Sequence, residues 1–431
     1  MKKTFQSFVF GCRVNEAERI KLDSELMEAG FTVDLASPSF IIINTCAITG
    51  KAEREAKQLI YQLRKKHQQA QIVLTGCSAT LWQKYNNGNI KLVDIVVPNN
   101  QKSRLISLLH TSEVCNKAKP MFAVPYNKAH NDKFRHSNRL IVKIQDGCHR
   151  FCSYCIVPYL RGMPQSQKIK DIVSYINSFN PTPSEVVLSA INTESFGKDT
   201  GESLVDLIQS VLRNTNVPRI AFGSIHPWSI TSEFIEFYKT TLSKEERFIN
   251  FFHVPIQSGS SPILKRMRRE YQISDVIKQL KKIQHIRLDA LIATDIIVGY
   301  LDETDEEFNQ TVNVLTKSPI SRLHVFRFSN REHTAAYYLK KQHTEPTPDV
   351  KKERSYTLLA LSKKKMELFT NSLVGLKSNA LVIATNEKET KVLLDNHIEG
   401  KMRDKHVLPG QIVHVTIRAA KDGYVFCDLI S

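Results

Sequence analysis

Cys148, Cys152 and Cys155 fall within eight residues, in the stretch KIQDGCHRFCSYCIVPYLRG. No other feature constrains the chain as much. Three thiolates this close can hold an iron–sulfur cubane by three of its four irons, leaving the fourth open to a small molecule. A zinc site normally asks for four nitrogen or sulfur ligands, usually with the cysteines in pairs. Here the only nearby imidazole, His149, directly follows a cysteine and is poorly placed for the same metal.

Three more cysteines repeat one placement near the start of the chain. Cys12 follows FVFG, Cys46 follows IIINT and Cys77 follows IVLTG, at intervals of 34 and 31 residues. The β-rich runs Phe5–Phe10, Phe40–Asn44, Gln71–Thr75 and Val93–Val97 alternate with helical patterns. Ala52, Ala56, Leu59 and Leu63 form one helical stripe, and Ala17, Ile20 and Met27 with a terminal Gly30 form another. Alternation of this kind implies a small parallel sheet. The three cysteines then sit one or two residues past strand ends that share an edge, where open α/β sheets bind ligands. Distant in sequence, they can converge on one metal centre. Cys115 and Cys427 stand alone and are expected to be small buried hydrophobes.

A chain of 431 residues should hold two or three domains, and 42% apolar with 24% charged residues suits a globular core. No apolar run approaches the length of a membrane span. MKKTFQSFVFGC reads as a strand, having no long apolar segment or small-residue cleavage site. Without an export signal, the eight cysteines are expected to stay reduced in a cytoplasm. The formal charge of +17 suits a phosphate-rich partner, as well as a merely basic surface.

The expected organisation is an N-terminal α/β domain over 1–116, a basic linker over 117–139, a second α/β domain over 140–369 and a β domain over 370–431. In the second, strands at Leu140–Ile144, Glu185–Ser189, Arg219–Ser224, Phe251–Val254, Ala293–Val298 and His324–Phe328 suit an open six-stranded barrel with its site at the C-terminal strand ends. Asp349–Thr370 reads as a basic helix with Lys351, Lys352, Arg354, Lys363, Lys364 and Lys365, which a solvated face explains at least as well as contact with RNA. ALVIAT, ETKVLLD, IEGKMR, GQIVHVTIRAA and GYVFCDLI read as short strands of an antiparallel barrel.

C-x3-C-x-aromatic-C resembles the signature of the radical S-adenosylmethionine enzymes, with Tyr154 in the aromatic place. GCRVNEAE, NTCAITGKAEREA, TGC, FFHVPIQSGSSPILKRMRREY, TDIIVGYLDETDEEF and LHVFRFSNREHTAA extend the resemblance along the chain to the methylthiotransferase subfamily. That subfamily joins a three-cysteine domain, a radical barrel and a TRAM β-barrel. The resemblance implies S-adenosylmethionine and two [4Fe–4S] clusters. Cys148, Cys152 and Cys155 would hold the cluster that cleaves S-adenosylmethionine to a 5′-deoxyadenosyl radical, with Tyr154 near the adenine. Cys12, Cys46 and Cys77 would hold the cluster that binds or supplies sulfur. A second S-adenosylmethionine would give the methyl group.

Asn192 and Gln257 follow strands where cofactor contacts would arise, though each could equally bond its own backbone. Gly299 could admit a close approach or serve only its turn. His226 and His253 read as structural. Asp302, Glu303, Asp305 and Glu306 suit a helix start. Tyr300-Leu301-Asp302-Glu303 departs from the subfamily's Phe-Pro-Gly-Glu, and Gln165-Ser166-Gln167 from its Arg-Ser-Arg. His226 also departs, in Ser-Ile-His-Pro where the subfamily has Ser-Ile-Glu-Pro.

Three substrate branches exist: isopentenyladenosine in tRNA, threonylcarbamoyladenosine in tRNA and an aspartate of a ribosomal protein. GCRVN with NTCAIT looks most like the threonylcarbamoyladenosine branch. The partners implied are tRNA, a flavodoxin- or ferredoxin-like reductant and a sulfur donor, for a cytoplasmic monomer with no membrane association. A non-catalytic iron–sulfur protein that binds RNA is the reading from another class. An intact triplet with no fourth protein ligand argues against it.

Overall fold

The structure is a computed structural model describing residues 3–85, 90–110, 137–403 and 406–430. Cys115 and residues 117–136 of the expected linker lie outside the described residues. The described chain divides into two compact units. One comprises the residues up to 110 with Asp146–Pro164 and Arg331–Thr334; the other comprises 137–145, Gln165–Asn330 and 335–430. The loop bearing Cys148, Cys152 and Cys155 thus belongs with the N-terminal residues.

In the first unit, β1 (Thr4–Val9), β2 (Thr32–Val33), β3 (Phe40–Thr45), β4 (Gln71–Gly76) and β5 (Ile95–Val97) form a parallel sheet in the order β2-β1-β3-β4-β5. Every residue of β3, FIIINT, is buried, as expected of a central parallel strand covered on both faces. Ile42 and Val73 pack with Leu22 and Leu26 of α1 (Arg13–Glu28). Ile41, Ile43, Ile72 and Leu74 pack with Ala56, Ile60 and Leu63 of α2 (Gly50–Lys66), while Ala52 and Leu59 are only half-buried. α3 (Cys77–Tyr85) starts directly after β4. Ile156 and Leu160 join the second cluster, so the cysteine loop is anchored by apolar burial as well as by chain connection.

In the second unit, β6 (Arg139–Asp146), β7 (Gln165–Ser166), β8 (Glu185–Ala190) and β9 (Ile220–Phe222) form one sheet in the order β7-β6-β8-β9. Asp146, the last residue of β6, is grouped with the first unit. β10 (Phe251–His253), β11 (Leu291–Val298) and β12 (Arg322–Arg327) form a second sheet. An Ile220–Phe248 bridge and the bond from Ile225 N to His253 O (2.9 Å) join them into one run of six parallel strands. These are the six strands expected.

β13 (Lys377–Thr385), β14 (Thr390–Leu394), β15 (Glu399–Met402), β16 (Ile412–Lys421) and β17 (Tyr424–Leu429) close a barrel, antiparallel except for β15 with β17. Cys427 is buried in this barrel, and burial pushes its thiol up to about 12.

The basic helix, Pro348–Ser372, corrects one expectation. Lys351 and Arg354 are buried, not on a solvated face. Lys351 pairs with Glu345, and Arg354 pairs with Glu303 and Asp305. The acidic run before the helix Asp305–Lys317 also divides its labour. Thr304 and Glu307 form the capping box, Glu303 binds Gly299 N and Arg354, and Asp302 pairs with His343. Among the described residues no helix is long and apolar enough to cross a membrane.

Candidate active site

The strand order of the first unit reverses between β1 and β3, which makes their C-terminal ends the crevice of the sheet. Cys12 lies three residues beyond β1, one more than the spacing suggested, and caps the N-terminus of α1. Cys46 directly follows β3, and Cys77 opens α3 directly after β4. All three therefore leave neighbouring strands at one edge.

Close packing brings the backbones together there. Gly11 has φ +93°, and a Cβ on it would lie 2.4 Å from Cys46 Sγ. Gly76 has φ +95°, and its Cβ would meet Thr45 O at 2.3 Å. Asn15 Nδ2 donates to Phe10 O (2.9 Å) and Thr45 O (3.0 Å), pinning the ends of two strands. Asn44 Nδ2 returns a bond to Asn15 O. Ser78 donates to Cys46 O.

Burial pushes the Cys46 thiol up to about 12, against the pull of the Ile48 backbone N–H. Burial also raises Cys12, while the Arg161 guanidinium draws it down. Asn99 Nδ2 stands 3.6 Å from Cys77 Sγ. As thiols Cys12 and Cys46 are held neutral by burial, yet a backbone donor faces Cys46 and a cation draws on Cys12, which suits thiolates. A bound iron–sulfur cluster reconciles the two, because metal binding expels the proton that burial retains. Among the described residues no three His, Cys, Asp or Glu side chains crowd around a point where a single metal ion would sit. A four-iron cube offers separate irons to separate thiols and so takes ligands set further apart. The donor set fits the cluster.

The loop after β6 is closed at its base. Cys148 N donates to Gly162 O (3.0 Å), and a Cβ on Gly147 (φ +71°) would lie 2.1 Å from Met163 O. Inside it Cys155 N donates to Cys152 O (2.9 Å), and Arg150 N stands 3.5 Å from Cys148 Sγ. Cys152 is buried, while Cys148, Tyr154 and Cys155 are half-buried. Three sulfurs are thus presented by one short loop.

Arg161 was not singled out from sequence. Its side chain is 1% exposed. Nη1 bonds Glu18 Oε1 (2.8 Å) and Asp146 Oδ1 (2.9 Å), and Nη2 bonds Asn15 Oδ1 (2.6 Å). Glu18 is also met by Lys102. Burial works against the Arg161 charge, but Cys77, Glu18 and Asp146 outweigh it and keep the guanidinium protonated. Asn15 and Glu18 lie in the GCRVNEAE stretch, where a polar Asn and Glu on the first turns of a helix were the available signal.

In the second unit the strand ends carry the remaining candidates. Asn192 is fully buried; its side chain accepts from Glu194 N (3.2 Å) and donates to Ser195 Oγ (2.9 Å). Its backbone N–H donates to buried Gln145 Oε1 (2.9 Å). Gln257 has φ +68°, and its backbone pairs with Asp295 O and Ile297 N at 2.9 Å each. Gly299 has φ +73°, and its close approach is to Lys351, whose Cγ would lie 2.3 Å from an added Cβ. His226 meets Thr193 Oγ1 at 3.2 Å, and burial lowers it to about 3. His253 Nε2 meets Asp295 Oδ1 at 2.9 Å across adjacent strands.

The sequence matches the model of the Radical SAM superfamily over residues 142–315 and that of Uncharacterized protein family UPF0004 over residues 4–98. Threonylcarbamoyladenosine tRNA methylthiotransferase MtaB of Aquifex aeolicus is 30% identical over 97% of this chain and 100% of its own length. MtaB of Bacillus subtilis is 30% identical over 96% of this chain and 93% of its own. tRNA-2-methylthio-N(6)-dimethylallyladenosine synthase of Lachnoclostridium phytofermentans is 28% identical over 99% and 95%. Among solved structures, the radical S-adenosylmethionine methyltransferase TsrM of Kitasatospora setae, with cobalamin and a [4Fe–4S] cluster bound, has a TM-score of 0.55. It is 12% identical, over 79% of this chain and 78% of that one, a likeness of fold alone. With relatives at this identity matching from end to end, the chain belongs to the radical SAM tRNA methylthiotransferase family.

Proposed function

We propose that this chain inserts sulfur and a methyl group at C2 of N6-threonylcarbamoyladenosine at position 37 of tRNA. One observation carries the choice of base: the MtaB relatives, named for threonylcarbamoyladenosine, match the chain from end to end at 30% identity. The GCRVN and NTCAIT segments favour the same branch, and a charge of +17 suits a tRNA, whose phosphates release counterions to Lys and Arg.

Enzymes of this family use S-adenosylmethionine and [4Fe–4S] clusters. Cys148, Cys152 and Cys155 would hold the cluster that takes S-adenosylmethionine, and Cys12, Cys46 and Cys77 would hold the second. Together these groups supply a carbon-centred radical able to take hydrogen from an unactivated C–H, the sulfur and the methyl group.

The chain's own residues bind and orient. Burial of Cys46 and Cys77 keeps water from the N-terminal thiols. The Arg150 N–H faces Cys148 Sγ at 3.5 Å. Tyr154 would lie along the adenine. Asn192, with its side chain committed to Glu194 N and Ser195, would shape the cofactor edge after β8 through its backbone. Gln257 and Gly299, both at positive φ, would set the turns that close the same edge after β10 and β11. Asp295 fixes the imidazole of His253 by holding its Nε2.

A flavodoxin- or ferredoxin-like one-electron reductant and a sulfur donor would complete the reaction, carried out on tRNA by a cytoplasmic monomer. Mass spectrometry of tRNA nucleosides from cells with and without the gene tests the reading. Loss of the methylthio form of threonylcarbamoyladenosine is expected. Its persistence would overturn the substrate, and loss of the dimethylallyl form instead would move the chain to the other tRNA branch. Failure of the reconstituted protein to cleave S-adenosylmethionine in the presence of tRNA would leave an RNA-binding iron–sulfur protein.

A further inference from the structure

One guanidinium ties together the segments that carry the two thiol sets. Arg161 closes the loop of Cys148, Cys152 and Cys155, and its Nη1 grips Asp146, the residue from which that loop departs (2.9 and 3.0 Å). The same group reaches Asn15 and Glu18, on the first two turns of the helix that Cys12 caps. Asn15 in turn ties Phe10 O to Thr45 O, which lie just before Cys12 and Cys46 in the chain. A planar fork can satisfy these acceptors together, whereas an ammonium on a flexible stem cannot hold the same angles.

The charges around it are unevenly screened. Arg161 is 1% exposed and Glu18 5%, whereas Asp146 is 25% exposed and so partly compensated by solvent. Glu18 also shares its charge with Lys102. Of the two cations and two carboxylates named, the Arg161 guanidinium is the most deeply buried. Nη1 and Nη2 are spent on these acceptors, but among the described residues the buried Nε has no hydrogen-bond partner. An unspent N–H on a buried cation is costly unless a negative group faces it, and a cluster with thiolate ligands would be such a group.

We infer that Arg161 is a positioning residue that locks the radical-cluster loop onto the start of the Cys12 helix and stations a buried positive charge beside the N-terminal cluster, making that cluster easier to reduce. The inference rests on the proposal that Cys12, Cys46 and Cys77 hold a cluster. Its effects are a fixed separation between the two clusters and a raised potential for one of them.

The test uses full-length chain carrying C148A, C152A and C155A, reconstituted with iron and sulfide so that only the N-terminal cluster assembles. Its midpoint potential is read by redox titration with electron paramagnetic resonance. R161Q should move the potential negative, R161K should leave it near the parent value, and Glu18→Gln should move it positive. In the two-cluster protein, magnetic coupling between the reduced clusters should be sharp in the parent and broadened in both R161K and R161Q. A parent that takes up no iron would overturn the cluster reading and this inference with it. Full iron with an unmoved potential in R161Q, or in Glu18→Gln should R161Q not fold, would overturn the charge role alone. Undisturbed coupling in R161K and R161Q would overturn the positioning role.

Discussion

His397, between β14 and β15 of the C-terminal barrel, meets the carboxylate of Glu185 at the start of β8 at 3.0 Å. Glu185 is fully buried and is also gripped by Arg139 and Arg219. Arg219 continues to Asp395 Oδ1 (2.6 Å) and Leu394 O (2.9 Å). One carboxylate thus fastens the C-terminal barrel to two strands of the six-stranded sheet. Burial works to raise the Glu185 pKa, but His397, Arg139 and Arg219 outweigh it and hold the carboxyl well below the usual range.

Glu185→Gln should therefore destabilise the chain well beyond one hydrogen bond. Two buried guanidiniums would lose their shared counter-charge, and breaking such a pair typically costs about 3–5 kcal/mol. Urea unfolding should show a loss of that order. A loss below about 1 kcal/mol would show that Asp395 and solvent already balance the two arginines.

Acid should weaken the same junction. Burial lowers His397 to about 4, against the pull of Glu185, while an unfolded histidine titrates near 6.5. The folded value lies below the unfolded one, so the unfolded chain binds the proton first. The contribution is complete above about pH 6.5 and is lost as pH falls towards about 4. His226, lowered to about 3, acts with the same sign. Unfolding free energy measured from pH 7 to 4.5 should fall less steeply for H397Q than for the parent. Parallel slopes would place the titration elsewhere.

Gly299 and Lys351 make a second junction, between the end of β11 and the buried face of the helix Pro348–Ser372. Gly299→Ala would put a Cβ 2.3 Å from Lys351 Cγ at a φ of +73°. Lys351 has little room to yield, since its Nζ is held by Phe328 O and Glu345. The left-handed backbone alone costs an alanine about 1–2 kcal/mol. The single variant should lose more than this, and K351A should recover only the steric part. A double-mutant cycle that shows no coupling would mean the helix shifts instead.

Much of this was legible in the chain because its signals are local. Short apolar runs bounded by turn residues marked the six barrel strands, and repeated placement put Cys12, Cys46 and Cys77 at one sheet edge. β2 was missed because Thr32 and Val33 are only two residues, both exposed, and carry no apolar pattern. Lys351 and Arg354 read as surface charges because their carboxylates, Glu345, Glu303 and Asp305, belong to other segments. Arg161 is the same case at greater range, with Glu18 and Asn15 lying 143 and 146 positions away. Charge pairing of this kind is decided by tertiary approach, and no periodicity records it.

Gly11 gives the sharpest test of the N-terminal thiol site. Cys46 lies against it so closely that a Cβ there would stand 2.4 Å from Sγ and 2.5 Å from the Cys46 Cβ. Its φ of +93° is also one that L-residues rarely adopt. Gly11→Ala must push Cys46 away from the edge it shares with Cys12 and Cys77. The loop of Cys148, Cys152 and Cys155 has its own closure through Cys148 N and Gly162 O and is not touched by the change. Reconstituted Gly11→Ala protein should therefore hold about half the iron of the parent, cleave S-adenosylmethionine, and release no methylthio product. Parent-level iron and methylthiolation would mean that the thiols tolerate the displacement and that Cys46 is not confined by Gly11.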